Sequence, residues 1–372
     1  MEIVIFILVI VALIVVHEFG HFVVAKLLGM RVDEFGLGYP PRALTIGRVG
    51  ETEYTLNWLP LGGFVKIYGE DDAKALGSRA FASKPRIHQA AVLVAGVAMN
   101  LLFAYVLITG ALVVGTPRAL TPEEVSRATD MALAVSGVLP GSPAALAGLL
   151  PGDTILSAVD KERSWSVRDP STGSDKASPE SFTAFVAGSA GDPVTLMVRH
   201  NDTDAVVTVT PAVGVVAESP SRYALGIGVA TIGIVPLSLL PAIVEGARLT
   251  WGATTLTAIG LWDFLSGILT LHADLSQVAG PVGIAGVVGD ASSTGLGNLF
   301  SVMAIISINL ALINLIPVPA LDGGRLLVVI IEGIIRRPIR PSVTRAVTAA
   351  SFVLLIFLMV VVTLHDISRI VG

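Results

Sequence analysis

Residues 3–28 read IVIFILVIVALIVVHEFGHFVVAKLL, an apolar run interrupted by His17, Glu18 and His21. Positions 3 to 16 are apolar without exception, and Phe22 to Leu28 continue the run with Lys26 as its one charge. A helix of about 26 residues is long enough to cross a hydrocarbon core of about 30 Å. A cleaved secretory leader is the rival reading, but Glu2 stands where a basic start belongs and no small-x-small cleavage site follows. At about 100° per residue the two histidines lie about 40° apart on one helical face, so both imidazoles reach one ion. Glu18 sits about 60° from His21, placed to take a proton from a water on such an ion without being a ligand. The five-residue string alone is equally compatible with histidines that are packed or capped. Its setting favours metal, because ionisable groups at membrane depth cost several kcal/mol and persist where they bind something.

Composition agrees with a membrane setting. Hydrophobic residues make up 53% of the 372 and charged residues 14%, too apolar for an ordinary soluble domain. The net charge of -5 and the lack of an aromatic-interleaved basic stripe exclude nucleic acid as a partner. With no cysteine, a metal must be held by His, Asp or Glu.

Three further apolar stretches, Ala90 to Val114, Leu299 to Ile316 and Ala346 to Leu364, bring the spans to four and place both termini on one side. Arg336, Arg337, Arg340 and Arg345, with no acid among them, put the last connection in the cytoplasm and the termini outside. Residues 116–245 carry 8 Lys or Arg against 14 Asp or Glu, which suits the outer side. Residues 236–271 mix apolar runs with Glu245, Arg248, Trp251, Trp262 and Asp263. A helix lying in the interface accounts for these better than a fifth span. Residues 34–68 read as a short sheet near the cytoplasmic face.

A catalytic zinc needs a third ligand at similar depth. Asp322 is the candidate, in NLIPVPALDGG at 314–324, where Pro317 and Pro319 break the helix. Locally Asp322 reads as well as a helix cap or turn. Depth decides between the readings: with spans one and three both running inward, His17 lies roughly 21 Å from residue 3, and Asp322 roughly 30 Å or more from the start of span three, so both fall in the cytoplasmic half. Asn100, in a polar break of span two, is read as a packing residue in preference to a hydrogen-bonding support. His88, His200, His272 and His365 have no metal-spaced partner and are read as surface or interfacial, and the Asn201-Asp-Thr sequon as accidental.

HEFGH at 17–21 together with NLIPVPALDGG at 314–324 resembles the site-two protease family of intramembrane zinc metalloproteases, particularly its bacterial RseP and RasP branch. FGLGYPPR at 35–42, PLGGFVKI at 60–67, AGVAMNLLFA at 95–104 and GPVGIA at 280–285 extend the likeness over most of the chain. The resemblance implies one zinc ion on His17, His21 and Asp322, water activation by Glu18, and a substrate-backbone or oxyanion contact from Asn314. It implies that Gly62, Gly63, Phe64 and Val65 offer a strand edge to an unwound substrate helix, where the bland alternative for Gly62 and Gly63 is a turn. It implies substrates that are single-span membrane proteins cut first by an upstream site-one protease, such as anti-sigma factors in a stress response, or signal-peptide remnants. The setting implied is membrane lipid of a bacterial inner membrane. Zinc rests on the family, since three N/O ligands accept other divalent ions.

Between spans two and three, VSGVLPGSPAALAGLLPGDTILSAV at 135–159 resembles the start of a bacterial PDZ domain. A short helix is expected at 181–186, closing strands at 194–199 and 205–210, and a flexible loop over 168–179. Peptide-end recognition and steric exclusion of bulky substrates both remain open as its role. The expected fold is thus a polytopic α-helical membrane protein with a membrane-associated β-sheet and one extracytoplasmic α+β PDZ domain. Its divisions are 1–30, first span with HExxH; 31–88, cytoplasmic-side loop with the sheet; 89–116, second span; 130–212, PDZ domain; 213–297, linker with an interfacial helix; 298–334, third span with NxxPxPxLDG; and 345–367, fourth span. A metal transporter gives no reason for Glu18 at the base position or for a PDZ domain. A catalytically dead scaffold would not need Glu18 intact.

Overall fold

The computed structural model describes residues 2–70, 77–121, 123–161, 163–167, 178–200, 203–216, 219–270, 280–337, 339 and 341–371. Two compact units divide the chain, Met1–Val114 with Ser238–Gly372, and Gly115–Leu237. Among the described residues, four helices are long and apolar enough to cross a membrane: Ile3–Leu27, Arg86–Val114, Leu296–Leu315 and Ser342–Leu364. With lipid outside, an apolar helix needs no polar face, and its backbone groups are satisfied internally.

The first unit begins with α1 (Glu2–Leu27), followed by the long strands β1 (Val32–Val49) and β2 (Thr52–Ile67), which pair antiparallel at 32–37 with 63–67 and at 44–49 with 52–56, and α2 (Arg86–Val114). The register shows that each strand folds over at its middle. The first half of β1, residues 32–37, faces 63–67 on one side and 53–56 on the other, and 53–56 in turn faces 44–48. Four segments therefore lie side by side in the order 63–67, 32–37, 53–56, 44–49, with 34–37 and 53–56 advancing in step. Residues 63–67 form one outer edge, and no other described strand pairs with them.

The second unit contains β3 (Pro117–Ala119), β4 (Thr129–Val138), α3 (Pro143–Leu146), β5 (Thr154–Val159), β6 (Ser164–Ser166), α4 (Pro179–Ala187), β7 (Val194–His200), β8 (Thr203–Val209) and β9 (Ile227–Ile234). The sheet order is β3-β9-β4-β5-β7-β8, with β6 paired to β5. Leu133, Val135, Ile155, Phe182, Leu196 and Val198 build its core. Ser142 caps α3 by accepting from Ala145 N at 3.3 Å, with Pro143 at the first helical position. The expected boundary at 130–212 is corrected: β3 and β9 belong to this sheet, so residues 117–119 and 227–234 are strands of this unit and not linker. β9 reads IGVATIGI, and its glycines conceal a strand whose partner β4 lies almost a hundred residues upstream. Residues 168–177 of the expected loop, Asn201 and Asp202 of the sequon, His272 and Arg340 lie outside the described residues.

The chain returns to the first unit with α5 (Leu239–Leu269), α6 (Pro281–Thr294), α7 (Leu296–Leu315), α8 (Asp322–Ile335) and α9 (Pro341–Val371). Within the stretch at 236–271, residues 239–269 form one helix, α5, which packs along α2: Tyr105 donates to Ile243 O at 3.2 Å, and Gly246 faces Thr109. α7 also runs antiparallel to α2, since Phe300 meets Gly110 and Ser307 meets Asn100. α1 does the same, with His21 beside Val92 and Val9 packed with Phe103, so α1 and α7 run in one direction. The GPVGIA motif opens α6, where the buried Asp366 of α9 accepts from Gly280 N at 3.2 Å and Gly283 N at 2.9 Å. A carboxylate here satisfies helix N–H groups that have no intrahelical partner.

Glu124 pairs with Arg118 through both carboxylate oxygens and accepts from Thr121 N at 3.0 Å, tying down the segment that starts with β3. The Arg118 guanidinium holds the Glu124 carboxyl down at about 2, below its ordinary value of 4.5. A depressed folded value gives stability that is present above the unfolded value and lost as pH falls toward the folded one. Thermal unfolding of wild type and Glu124→Gln in detergent should therefore differ at neutral pH and converge between about pH 4.5 and about pH 2. A difference that does not change with pH would show that the pair adds nothing to stability.

Candidate metal centre

His17 and His21 stand one turn apart on α1, their Nε2 atoms 3.3 Å from each other. Asp322, the first residue of α8, places Oδ2 3.0 Å from His17 Nε2 and 3.2 Å from His21 Nε2. The ligand atoms of the three lie within 4.8 Å of one another. Tetrahedral zinc with bonds of about 2.0–2.1 Å separates its donors by about 3.3–3.4 Å. The three spacings found here come within a few tenths of an ångström of that edge, so the donor set fits zinc in both chemistry and span.

Local structure explains the convergence. Residues 316–321 leave the helix at Pro317 and Pro319, and Leu321 O, the cap position of α8, accepts from Gly324 N at 3.1 Å and Arg325 N at 3.2 Å. The cap residue is Leu321, so Asp322 is not spent on capping and its carboxylate goes to the two histidines. The chain then doubles back so closely that a Cβ on Gly323 would fall on the carbonyls of Leu315 and Ile316. Arg325, one turn on, pairs with Glu70 at 2.6 Å, and Glu332 with Arg86 at 2.8 Å, which fastens α8 to the segment after β2 and to the start of α2.

α2 supports both rings. His21 Nδ1 bonds Val92 O at 2.8 Å, and because a carbonyl only accepts, the proton stays on Nδ1 and the Nε2 lone pair is free. Asn100 Nδ2 lies 3.2 Å from His17 Nδ1, and Asn100 is fully buried. The reading of Asn100 as a packing residue is corrected here, since its amide faces the His17 ring within hydrogen-bond distance. A Cβ on Gly96 would fall on His21 Nε2 and lie 2.7 Å from His17 Cε1, so only glycine lets α2 pass behind the pair. Val92 and Gly96 were not singled out from the sequence; the signal available was the Ala-Gly run one turn before Asn100.

The Glu18 carboxylate has no hydrogen-bond or ion-pair partner among the described residues. Gly63 of β2 abuts it, with the position of a Cβ there 3.2 Å from Glu18 Cγ. The outer sheet edge at 63–67 thus begins beside the carboxylate, and Gly62, Gly63, Phe64 and Val65 all lie in β2. Asn314, next to last in α7, is half-buried, and its side chain makes no hydrogen bond with another described residue. His200 is apart from the cluster, in the second unit, bonded to Asp153 at 2.5 Å.

Helices long and apolar enough to cross a membrane, together with two histidines and an aspartate at metal-binding spacing and a glutamate beside them, are the arrangement expected of a membrane metallopeptidase. A sequence model of peptidase family M50 matches residues 5–358, so the chain belongs to that family, the site-two proteases, and is a zinc metalloprotease. A protein of Clostridium perfringens named as a candidate zinc metalloprotease is 35% identical over 356 residues, covering 96% of this chain and 95% of its own length. One of Nostoc with the same description is 35% identical over 355 residues, 94% of this chain and 91% of its own. The zinc metalloprotease RasP of Oceanobacillus iheyensis is 27% identical over 448 residues, 98% of each.

Gly96→Ala should displace His21 and reduce bound zinc to a small fraction of wild type. Gly252→Ala on α5, where a Cβ meets nothing within 4 Å, should retain it. Zinc per chain by elemental analysis decides; full occupancy in Gly96→Ala would refute the close packing behind the pair.

Proposed function

We propose that this chain cleaves single-span membrane proteins within or at the edge of the bilayer, using one zinc ion held by His17, His21 and Asp322. The observation that carries the reading is the joint placement of that cluster, the unpaired Glu18 and a free strand edge beside it. Zinc, when bound, supplies Lewis acidity toward water and a peptide carbonyl. Glu18 takes a proton from the attacking water on its carboxylate and passes it to the amide nitrogen as the C–N bond breaks. His21 stays oriented through Val92 O and His17 through Asn100. Apolar helix surface around the site limits the water that reaches it.

A peptide bond in a helix has its carbonyl engaged within the helix, so the substrate must first extend. The edge at 63–67 offers backbone N–H and C=O groups to such a strand, with Gly63 bringing it against Glu18. Asn314 supplies an amide for the substrate backbone or the developing oxyanion. In this reading the substrates are proteins already trimmed by an upstream protease, anti-sigma-like proteins or signal-peptide remnants. Both termini and the second unit lie outside the cytoplasm in a bacterial inner membrane, on the strength of the arginines between the last two spans. The second unit is PDZ-like, with its strand, Ser-capped turn and Gly-Asp-x-Ile strand start at 135–155.

Purified chain and Glu18→Gln should bind equal zinc, while Glu18→Gln cleaves a model single-span substrate at least about 10³-fold more slowly, the scale of a lost general base. Unchanged cleavage would sink the mechanism. Asp322→Asn should lose zinc and cleavage together, and retention of zinc there would remove Asp322 from the ligand set.

A further inference from the structure

Asn100 carries an unexplained polar atom. Its Nδ2 faces His17 Nδ1, while its Oδ1 is buried with no hydrogen-bond partner among the described residues. A buried acceptor left unpaired is destabilising, and the two ends of a carboxamide have nearly the same shape. A half-turn about Cβ–Cγ would exchange them and set the oxygen where the nitrogen stands. Ser307, fully buried on α7, donates to Asn100 O at 2.8 Å and so holds the backbone that carries this side chain.

His17 explains why both ends are needed. Its Nε2 points to Asp322 and His21. Without an ion, a proton on Nε2 bonds Asp322 Oδ2, the Nδ1 lone pair faces α2, and the amide N–H donates to it. When Nε2 is a ligand, the ring's single proton must sit on Nδ1, where it requires an acceptor. The ring carries one proton in both cases, so the change is of tautomer and not of charge. His21 differs, because Val92 O can only accept and its tautomer is preset.

We propose that Asn100 is a positioning residue for His17 whose amide turns with the ring's tautomer, donating from Nδ2 when Nε2 is protonated and accepting at Oδ1 when Nε2 binds metal. This rests on the reading of His17 as a ligand. Asparagine suits the position because it alone, in this volume, offers a donor and an acceptor related by a half-turn.

The test measures zinc affinity of the full chain in detergent by competition with a chromogenic chelator, with thermal unfolding in EDTA as the folding control. Asn100→Leu should unfold within a few degrees of wild type without metal, yet bind zinc about 10- to 100-fold more weakly, the usual effect of losing a ligand's support. Asn100→Asp, which keeps an acceptor in place, should stay within about threefold of wild type, and it decides the matter alone if the leucine variant does not fold. Wild-type affinity in Asn100→Leu would reduce Asn100 to packing. An Asn100→Asp chain that is folded but as weak as, or weaker than, 10-fold below wild type would overturn the acceptor role. Zinc binding that survives His17→Ala would instead overturn the ligand assignment on which this rests.

Discussion

Ionisable groups carried on membrane-spanning helices are tolerated when they satisfy one another, and the first unit is organised around that requirement. His17 and His21 arrive on α1, while Asp322 arrives some three hundred residues later at the start of α8. Neither part is stable at depth alone, because a single buried charge or unpaired imidazole has no water to replace its partners. Their meeting requires α1 and α7 to run the same way, α2 to pass within contact of the histidines at Gly96, and the chain after α7 to reverse tightly at Gly323. Each of these conditions is met by a small residue or a helix break at the point of contact.

The parts of this arrangement that are local were legible in the sequence. HEFGH states its own periodicity, and NLIPVPALDGG announces both the break and the acid that follows it. Four apolar runs were found because length and hydropathy suffice to recognise them. The place of Asn100 is not legible locally, because it depends on which way one ring on another helix faces. β9 reads as linker in the sequence because its pairing to β4 is long-range and its glycines mask the alternation. The doubling of β1 and β2 into four segments also escaped, since two stretches running in step with a crossover between them leave no local trace.

The sheet and the cluster meet at one glycine. Gly63 lets the backbone of β2 approach Glu18 without a side chain between them, and the same residue starts the unpaired edge. A strand edge is read through main-chain groups that every residue possesses, while apolar and aromatic side chains of β1 and β2, such as Leu44, Ile46 and Trp58, are turned outward. Such a surface places its demands on the shape a chain can adopt more than on the identity of its residues.

Asp366 gives the end of the chain a structural duty. Its carboxylate seats the first turn of α6, and α6 lies against Val9 and Leu13 of α1, the latter one helical turn before His17. This helix is therefore a brace and not a tail: shortening it past Asp366 would loosen α6 and soften the wall behind His17 and His21, although no residue of α9 comes from the motifs that carry them.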